Sequence, residues 1–423
     1  MSGVDEAPHE AVAGGSFIER NLRRNMVAHF VHGTLGLTGF RLIYTPTFLP
    51  AYMQLITGSA ALVGLGQSLL QLGATLSPVL GASRIEHRAR LLPYAVRTGS
   101  MMRLQILGLA FAGWMLGGPA LVAVTLVLLF LLGFFTGSQR VAFQMLMAKV
   151  IPVGKRGRLQ GWRNFAGGCI AAMLSLGAGY YLIEAQFLGN GYASTFFLAF
   201  LLTSIGLWFL RALMREPDGA GAPMRSLGER LRTFPLLLSH SDYRALLTVQ
   251  ALVASARMSG PFYILYVGQE RGLGGALVGS LSFAFLVSDT LSNLLWGYLG
   301  DRRGFRQPLL ASVLLSLASI LGLLFAPSDW ALLSFCGFGA AAAGYMMSAS
   351  TIVLEIGAPE DVPMRLALST TVEGALAAVG PIIGGLIVWI AGYSWLFGLS
   401  AIFFALAALA VLRMPVRVAR LVI

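Results

Sequence analysis

The chain has 423 residues, of which 57% are hydrophobic and only 11% are charged, and its mean hydropathy is +0.75. Soluble domains carry about 25% charged residues, so this composition excludes a soluble enzyme and a secreted disulfide scaffold. The apolar segments are continuous and do not alternate with polar residues, which excludes an outer-membrane barrel. We therefore expect an all-α membrane protein, because helices satisfy their own backbone hydrogen bonds in lipid.

Apolar segments bounded by glycine, proline or charged residues predict twelve membrane-spanning helices. In chain order these spans cover residues 26–56, 60–81, 93–116, 119–146, 164–183, 193–213, 245–267, 275–299, 307–325, 330–354, 366–391 and 395–412. A helix needs about 20 apolar residues to cross the hydrocarbon core. Twelve spans with short loops therefore account for nearly the whole chain.

The longest polar interruption falls after the sixth span and divides the spans into two sets of six. The predicted domains are a cytoplasmic tail over residues 1–24, a six-helix bundle over 25–213, a cytoplasmic linker over 214–242, a second six-helix bundle over 243–413 and a cytoplasmic tail over 414–423. We expect the first 18 residues of the N-terminal tail to be disordered. Within the linker, Leu227, Leu231 and Phe234 recur at helical spacing between charged residues. This pattern is typical of an amphipathic helix on a membrane surface.

The basic residues are distributed unevenly between the two sides of this predicted topology. With the N-terminus placed in the cytoplasm, 23 of the 30 basic residues fall on the cytoplasmic side, and only Arg271 lies in a loop on the opposite side. Because cytoplasmic loops prefer Lys and Arg, we expect both termini inside and a location in the cytoplasmic (inner) membrane. The same preference explains the net charge of +12 without a nucleic-acid partner.

The loop between spans eight and nine carries a motif. Residues Gly297 to Arg306 read GYLGDRRGFR, which resembles the G-x-x-x-D-R-x-G-x-R signature of the major facilitator superfamily. The resemblance implies two pseudo-symmetric six-helix bundles with a solute cavity between them. It also implies a gating role for the motif loop, through Gly297, Asp301, Arg302, Gly304 and Arg306. The corresponding loop of the first half begins at Gly81 but lacks the Asp-Arg pair, so this role is not carried over to it.

Span eleven contains a second short motif, Gly380-Pro381. It resembles the glycine-proline motif that drug-proton antiporters of the superfamily carry in span five. Span five of this chain has Gly167, Gly168 and Gly177 but no Gly-Pro pair. Because the motif stands only in the symmetry-related helix, we interpret it as close helix packing through small residues.

Arginines within the spans are the first candidate functional residues, because a charge at the bilayer centre costs about 2.5–3.5 kcal/mol on insertion scales. Arg41 and Arg257 lie in the middle of spans one and seven, 216 residues apart, which predicts that they are symmetry mates. The family resemblance implies that spans one, four, seven and ten line the cavity. We therefore predict a substrate-binding set of Arg41, Arg140, Arg257 and Tyr345. Guanidinium groups suit carboxylate or phosphate and disfavour cations.

The alternative is that each arginine is paired within the protein, for example Arg257 with Asp289 of span eight. Asp289 and Glu373 of span eleven are the remaining acids inside the predicted spans once the end-of-span residues Glu184 and Glu355 are set aside. Burial favours the protonated form of a carboxylic acid. We therefore predict that Asp289 or Glu373 couples transport to a proton, with Asp289 as the first choice.

The predicted function is secondary transport of a small organic solute, anionic or amphiphilic, by alternating access. Two alternatives remain open: efflux of hydrophobic drugs, and a non-transporting assembly or lipid-handling factor on the same fold. We expect no enzymatic activity, no cofactor and no metal site. The expected partners are a small-molecule solute and membrane lipids, and the expected state is a monomer.

Overall fold

The structure, a computed structural model, describes residues 6–85, 90–217, 234–357 and 361–414. All regular secondary structure in these ranges is helical. Nine helical stretches within them are long and apolar enough to cross a membrane. The other three spans are the first, third and seventh, in which backbone breaks or arginines interrupt the apolar sequence. The predicted all-α fold with twelve transmembrane helices in two sets of six is confirmed.

The helix bounds follow the predicted spans closely, apart from the breaks and extensions described below. Spans one to six consist of Glu6–Tyr44 with Phe48–Thr57, Ala60–Ile85, Leu92–Met115, Gly118–Val150, Val153–Gly177 with the π-helical Ala178–Glu184, and Gly191–Leu213. Spans seven to twelve consist of Ser241–Ala256 with Arg257–Phe262 and Tyr263–Arg271, Gly275–Arg303, Arg306–Phe325, Ala331–Glu355, Val362–Ala391 and Tyr393–Arg413. Short helices cover Phe187–Gly189, Phe234–Ser239 and Ser328–Trp330.

Span one differs from its prediction at both ends. The helix already begins at Glu6, so residues 6–18 are helical and not disordered as we expected. The helix also ends at Tyr44 and restarts at Phe48, whereas the sequence predicted one unbroken span. Pro46 lies in this gap and cannot donate a backbone hydrogen bond, which explains why the helix stops here.

Span seven has a break at the corresponding place, which the sequence analysis also missed. Residues Arg257–Phe262 form a 3-10 helix that contains Pro261. The α-helix resumes at Tyr263 and ends at Arg271. The proline again removes one backbone donor and disturbs the preceding turn. The two bundles therefore each contain one discontinuous helix near the middle of the membrane, with an arginine beside the break.

The two bundles contact each other through small residues. Span two packs along span eleven, and span five packs along span eight. A Cβ atom at Gly64 would overlap the carbonyl oxygen of Pro381, and one at Gly179 would overlap that of Gly275. Ile382 N–H donates across the same interface to Ser68 Oγ at 3.0 Å. We call this contact region the closed end; it comprises residues 60–64, 179–184, 275–279 and 381–385.

The start of the linker is anchored to the first bundle by Glu216. Its buried carboxylate accepts hydrogen bonds from Leu91 N and Leu92 N at 2.7–2.9 Å, and it pairs with Lys149 Nζ at 2.9 Å. The predicted amphipathic helix of the linker falls largely on residues 218–233, which lie outside the described residues. So does much of the loop between spans two and three, over residues 86–89.

Candidate functional site

A cavity of about 500 Å³ lies between the two bundles. Its walls come from spans one, two and four of the first bundle and from spans seven, ten and eleven of the second. Both helix breaks contribute, through Tyr44, Thr45 and Pro46 on one side and through Arg257, Gly260 and Pro261 on the other. Small-molecule sites in proteins usually occupy about 300–1,000 Å³. The cavity therefore has the size of a solute site.

Among the described residues, three charged side chains line this cavity: Arg140 of span four, Arg257 of span seven and Glu373 of span eleven. The exposed Arg140 guanidinium makes no hydrogen bond or ion pair with any residue that the structure describes. Two cations and one carboxylate give the lining a net positive charge when all three groups are ionised. Such a lining attracts anions and repels cations.

Tyr345 of span ten connects the other two charged groups. The Arg257 Cζ atom lies 4.4 Å from the centroid of the Tyr345 ring, which is a cation–π distance. The Tyr345 hydroxyl in turn donates a hydrogen bond to Glu373 Oε1. Tyr345 itself is buried. The structure therefore brings Arg257, Tyr345 and Glu373 together in one chain of contacts on the second-bundle side of the cavity.

Arg41 has a different environment from the one that its symmetry with Arg257 suggested. Its Nη2 atom pairs with Asp289 Oδ2 at 2.8 Å, and its Nη1 atom donates to Thr290 Oγ1 at 3.1 Å. The alternative pairing of Arg257 with Asp289 is therefore wrong, because span eight faces span one across the interface. A third contact, Thr47 Oγ1 to Ser282 Oγ at 2.6 Å, joins the same two spans. Neither Arg41 nor Asp289 is among the described residues that line the cavity.

The motif loop forms the turn between spans eight and nine. Gly304 has a φ of +78°, a conformation that favours glycine, and Gly300 packs directly against the Phe305 ring. Arg306 donates to the carbonyl oxygens of Val411 and Leu412 at 3.0 and 2.6 Å, which ties the loop to the end of span twelve.

The other three motif residues have fewer contacts. Arg302 stacks on the Tyr298 ring, with Cζ 4.3 Å from the ring centroid. Asp301 is exposed and makes no ion pair or side-chain hydrogen bond within the described ranges. Gly297 lies nearly two turns before the end of span eight, and the nearest side-chain atom to a Cβ there would be Met347 Sδ at 3.9 Å.

The sequence analysis missed the contribution of span two to the cavity. Gln67, Gln71 and Thr75 all line the cavity and recur every four residues, which places them on one face of the helix. This spacing could have predicted a polar face on span two, because glutamines are rare within apolar spans. Span eleven adds Thr370 and Thr371 beside Glu373. These uncharged polar groups provide hydrogen-bonding positions around the two arginines.

Comparison with known proteins agrees with this architecture. Residues 245–421 match the family model described as Major Facilitator Superfamily. No curated protein sequence is similar enough to the chain to count as a match. Solved transporter structures match almost the whole chain.

A point mutant of the nucleoside transporter NupG superposes with a TM-score of 0.73 at 13% identity, over 92% of this chain and 99% of that one. A D-xylose-proton symporter gives 0.72 at 15% identity, over 93% and 98%. The human organic anion transporter MFSD10 gives 0.64 at 17% identity, over 92% and 99%.

The fold is that of a multi-pass membrane protein, and it is shared with solved solute transporters. The sequence of the second half, residues 245–421, is similar to the Major Facilitator Superfamily model, and the fold of the whole chain is that of the solved transporters. The matched residues include the motif loop, Gly297 to Arg306, so the match agrees with the resemblance expected from that loop.

Proposed function

We propose that this protein is a secondary transporter that moves a small organic anion across the cytoplasmic membrane by alternating access. The observation that carries the proposal is the cavity between the bundles, whose charged lining residues within the described ranges are Arg140, Arg257 and Glu373. The three similar transporters are described as carrying a nucleoside, xylose and organic anions. Because these solutes differ, the similarity to known transporters does not indicate a solute class. We therefore base the proposed class on the charges that line the cavity.

A carboxylate or phosphate suits the two guanidinium groups. Each guanidinium presents N–H donors in a planar fork that matches the two oxygens of such an anion. Arg140 belongs to the first bundle and Arg257 to the second, so a bound anion would contact both bundles at once. A solute that bridges the bundles favours a state in which they enclose it, which is the requirement for alternating access.

Coupling to a proton is assigned in this proposal to Glu373. From the sequence alone Asp289 was the first choice, but Asp289 is held by Arg41 outside the cavity lining. Glu373 lines the cavity and contacts Tyr345, which stacks against Arg257. Protonation of Glu373 removes the negative charge from the lining and so strengthens anion binding. By linkage, a bound anion strengthens proton binding by the same factor.

The direct test of the solute class is a thermal-shift screen of the purified protein in detergent. Organic anions, organic cations of similar size and neutral analogues are compared at one pH. We expect anions carrying a carboxylate or phosphate to raise the unfolding temperature, because a ligand that binds only the folded state stabilises it. Cations should have no effect.

Two variants assign the effect to the cavity. Arg257→Gln should lose most of the shift caused by anions, whereas Arg97→Gln, an exposed arginine of span three that does not line the cavity, should keep it. Stabilisation by hydrophobic cations instead of anions would favour drug efflux and contradict the proposal. An anion shift that survives in both Arg257→Gln and Arg140→Gln would place the site elsewhere.

A further inference from the structure

A groove of about 350 Å³ separates spans seven and twelve, apart from the central cavity. One wall consists of Ala245, Thr248 and Leu252, and the other consists of Leu406, Leu409 and Ala410. Leu406 and Leu409 are 45% and 51% exposed, so the groove opens toward the surface of the bundle. On a membrane-spanning helix pair, that surface is in contact with lipid.

One end of the groove is positively charged. Arg413, the last residue of span twelve, lines it, and Arg244 stands in the first turn of span seven, one turn before Thr248. Both side chains are exposed, and neither guanidinium has a hydrogen bond or ion pair within the described ranges. The nearest acid along the chain, Asp242, accepts a hydrogen bond from Ser241 at 3.2 Å.

The corresponding seam of the first bundle is closed. Spans one and six are joined there by Asn25, whose Nδ2 atom donates to Arg215 O at 2.9 Å and whose Oδ1 atom accepts from Arg215 N at 2.8 Å. Arg24 Nη2 adds a bond to Ala212 O at 3.2 Å. In the second bundle the residue 216 positions after Asn25 is Ser241, which bonds its neighbour Asp242 instead of span twelve. The hydrogen bonds that join spans one and six therefore have no counterpart at Ser241, between spans seven and twelve.

We propose that this groove binds an anionic phospholipid, with an acyl chain along the leucines and the phosphate at Arg413 and Arg244. From Arg413 to Leu406 the groove runs about 10 Å at 1.5 Å per residue. It therefore fits within the roughly 15 Å of hydrocarbon that one leaflet provides. Two exposed arginines at the same end of spans seven and twelve complement a negatively charged headgroup. A zwitterionic phospholipid has the same acyl chains, but its headgroup has no net charge.

The experiment adds phosphatidylglycerol or phosphatidylcholine to the purified full-length protein in nonionic detergent. The thermal midpoint is recorded by tryptophan fluorescence, and bound lipids are counted by native mass spectrometry. We expect phosphatidylglycerol to raise the midpoint by several degrees and to remain bound as one copy, and phosphatidylcholine to do neither. The Arg244→Gln, Arg413→Gln double variant should lose both effects.

Two further variants separate the groove from general surface charge. Arg211→Gln removes the exposed arginine in the last turn of span six, which does not line this groove, and should respond like the unaltered protein. Leu409→Trp fills the groove without changing its charge and should lose the bound lipid. Equal responses to the two lipids, or a phosphatidylglycerol response that survives in both the double variant and Leu409→Trp, would overturn the proposal.

Discussion

Arg41 and Arg257 occupy equivalent places beside the two helix breaks, but among the residues that the structure describes only Arg41 has an acid as partner. Arg41 is bound to Asp289, which belongs to the other bundle. The residue 216 positions before Asp289 is Gly73, so the repeat provides no matching acid for Arg257. Arg257 therefore faces the cavity with its charge unneutralised, apart from its contact with the Tyr345 ring. This asymmetry makes one arginine an interface residue and leaves the other available to a solute.

The Arg41–Asp289 pair predicts a specific pattern in a double-mutant cycle. Asp289→Asn leaves a guanidinium in the membrane without its carboxylate and should lower the thermal midpoint. Adding Arg41→Gln removes the unpaired charge and should restore part of the loss. Contacting pairs show interaction energies of about 0.5–3 kcal/mol in such cycles.

The control cycle combines Arg41→Gln with Glu373→Gln, because Arg41 pairs with Asp289 and Glu373 accepts from Tyr345 instead. Thermal unfolding of the four proteins should give additive effects in this control. If the Arg41–Asp289 cycle is equally additive, the pair does not stabilise the interface.

Sequence reasoning at the residue scale found the ionisable groups but not their partners. Hydropathy identifies Arg41, Asp289 and Glu373 as charges within apolar segments, because each interrupts an otherwise continuous span. The pairing of Arg41 with Asp289 joins residues far apart in the chain, and it depends on how the two bundles dock. A single sequence does not reveal how the bundles dock. Asp289 was therefore considered as a partner of Arg257, which is nearer in the chain, and this pairing is wrong.

At the scale of the helices, the twelve spans could be predicted because each is a long apolar run, whereas the breaks in spans one and seven could not be placed. Pro46 and Pro261 were visible in the sequence. Proline is tolerated within transmembrane helices, however, as Pro381 within span eleven demonstrates. The same residue type therefore accompanies a break in two helices and none in span eleven, so proline alone does not locate a break.

The packing of span two against span eleven makes Gly64 a sensitive position. A methyl group at Gly64 would overlap the carbonyl oxygen of Pro381, so Gly64→Ala should push the two bundles apart at the closed end. Spin labels at the exposed residues Leu55 and Trp389, after Cys169 and Cys336 are replaced by serine, would report the distance between the bundles. We expect a larger fraction of long distances in the variant.

Gly177→Ala is the matched control, because a Cβ at Gly177 meets no atom within 4 Å. It should leave the distance distribution unchanged. Identical distributions for Gly64→Ala and the unaltered protein would show that this contact does not limit separation of the bundles.

For the whole molecule, the distribution of basic residues predicts the orientation in the membrane. We propose that both termini and the linker are cytoplasmic, which makes the closed end the external one. Single cysteines at Gly191 and Ser328 should react with an impermeant reagent in intact cells, whereas one at Ser226 should react only after the membrane is opened. Reaction at Ser226 in intact cells would reverse the orientation.

Transport by the purified protein in lipid vesicles tests the central claim most directly. The solute is the organic anion that gives the largest thermal shift, and a pH gradient is imposed across the vesicle membrane. We predict that the unaltered protein accumulates this anion, and that Arg257→Gln does not. Glu373→Gln should still exchange labelled for unlabelled anion but should no longer accumulate it. An unaltered protein that binds the anion yet gives no flux above protein-free vesicles would contradict the account.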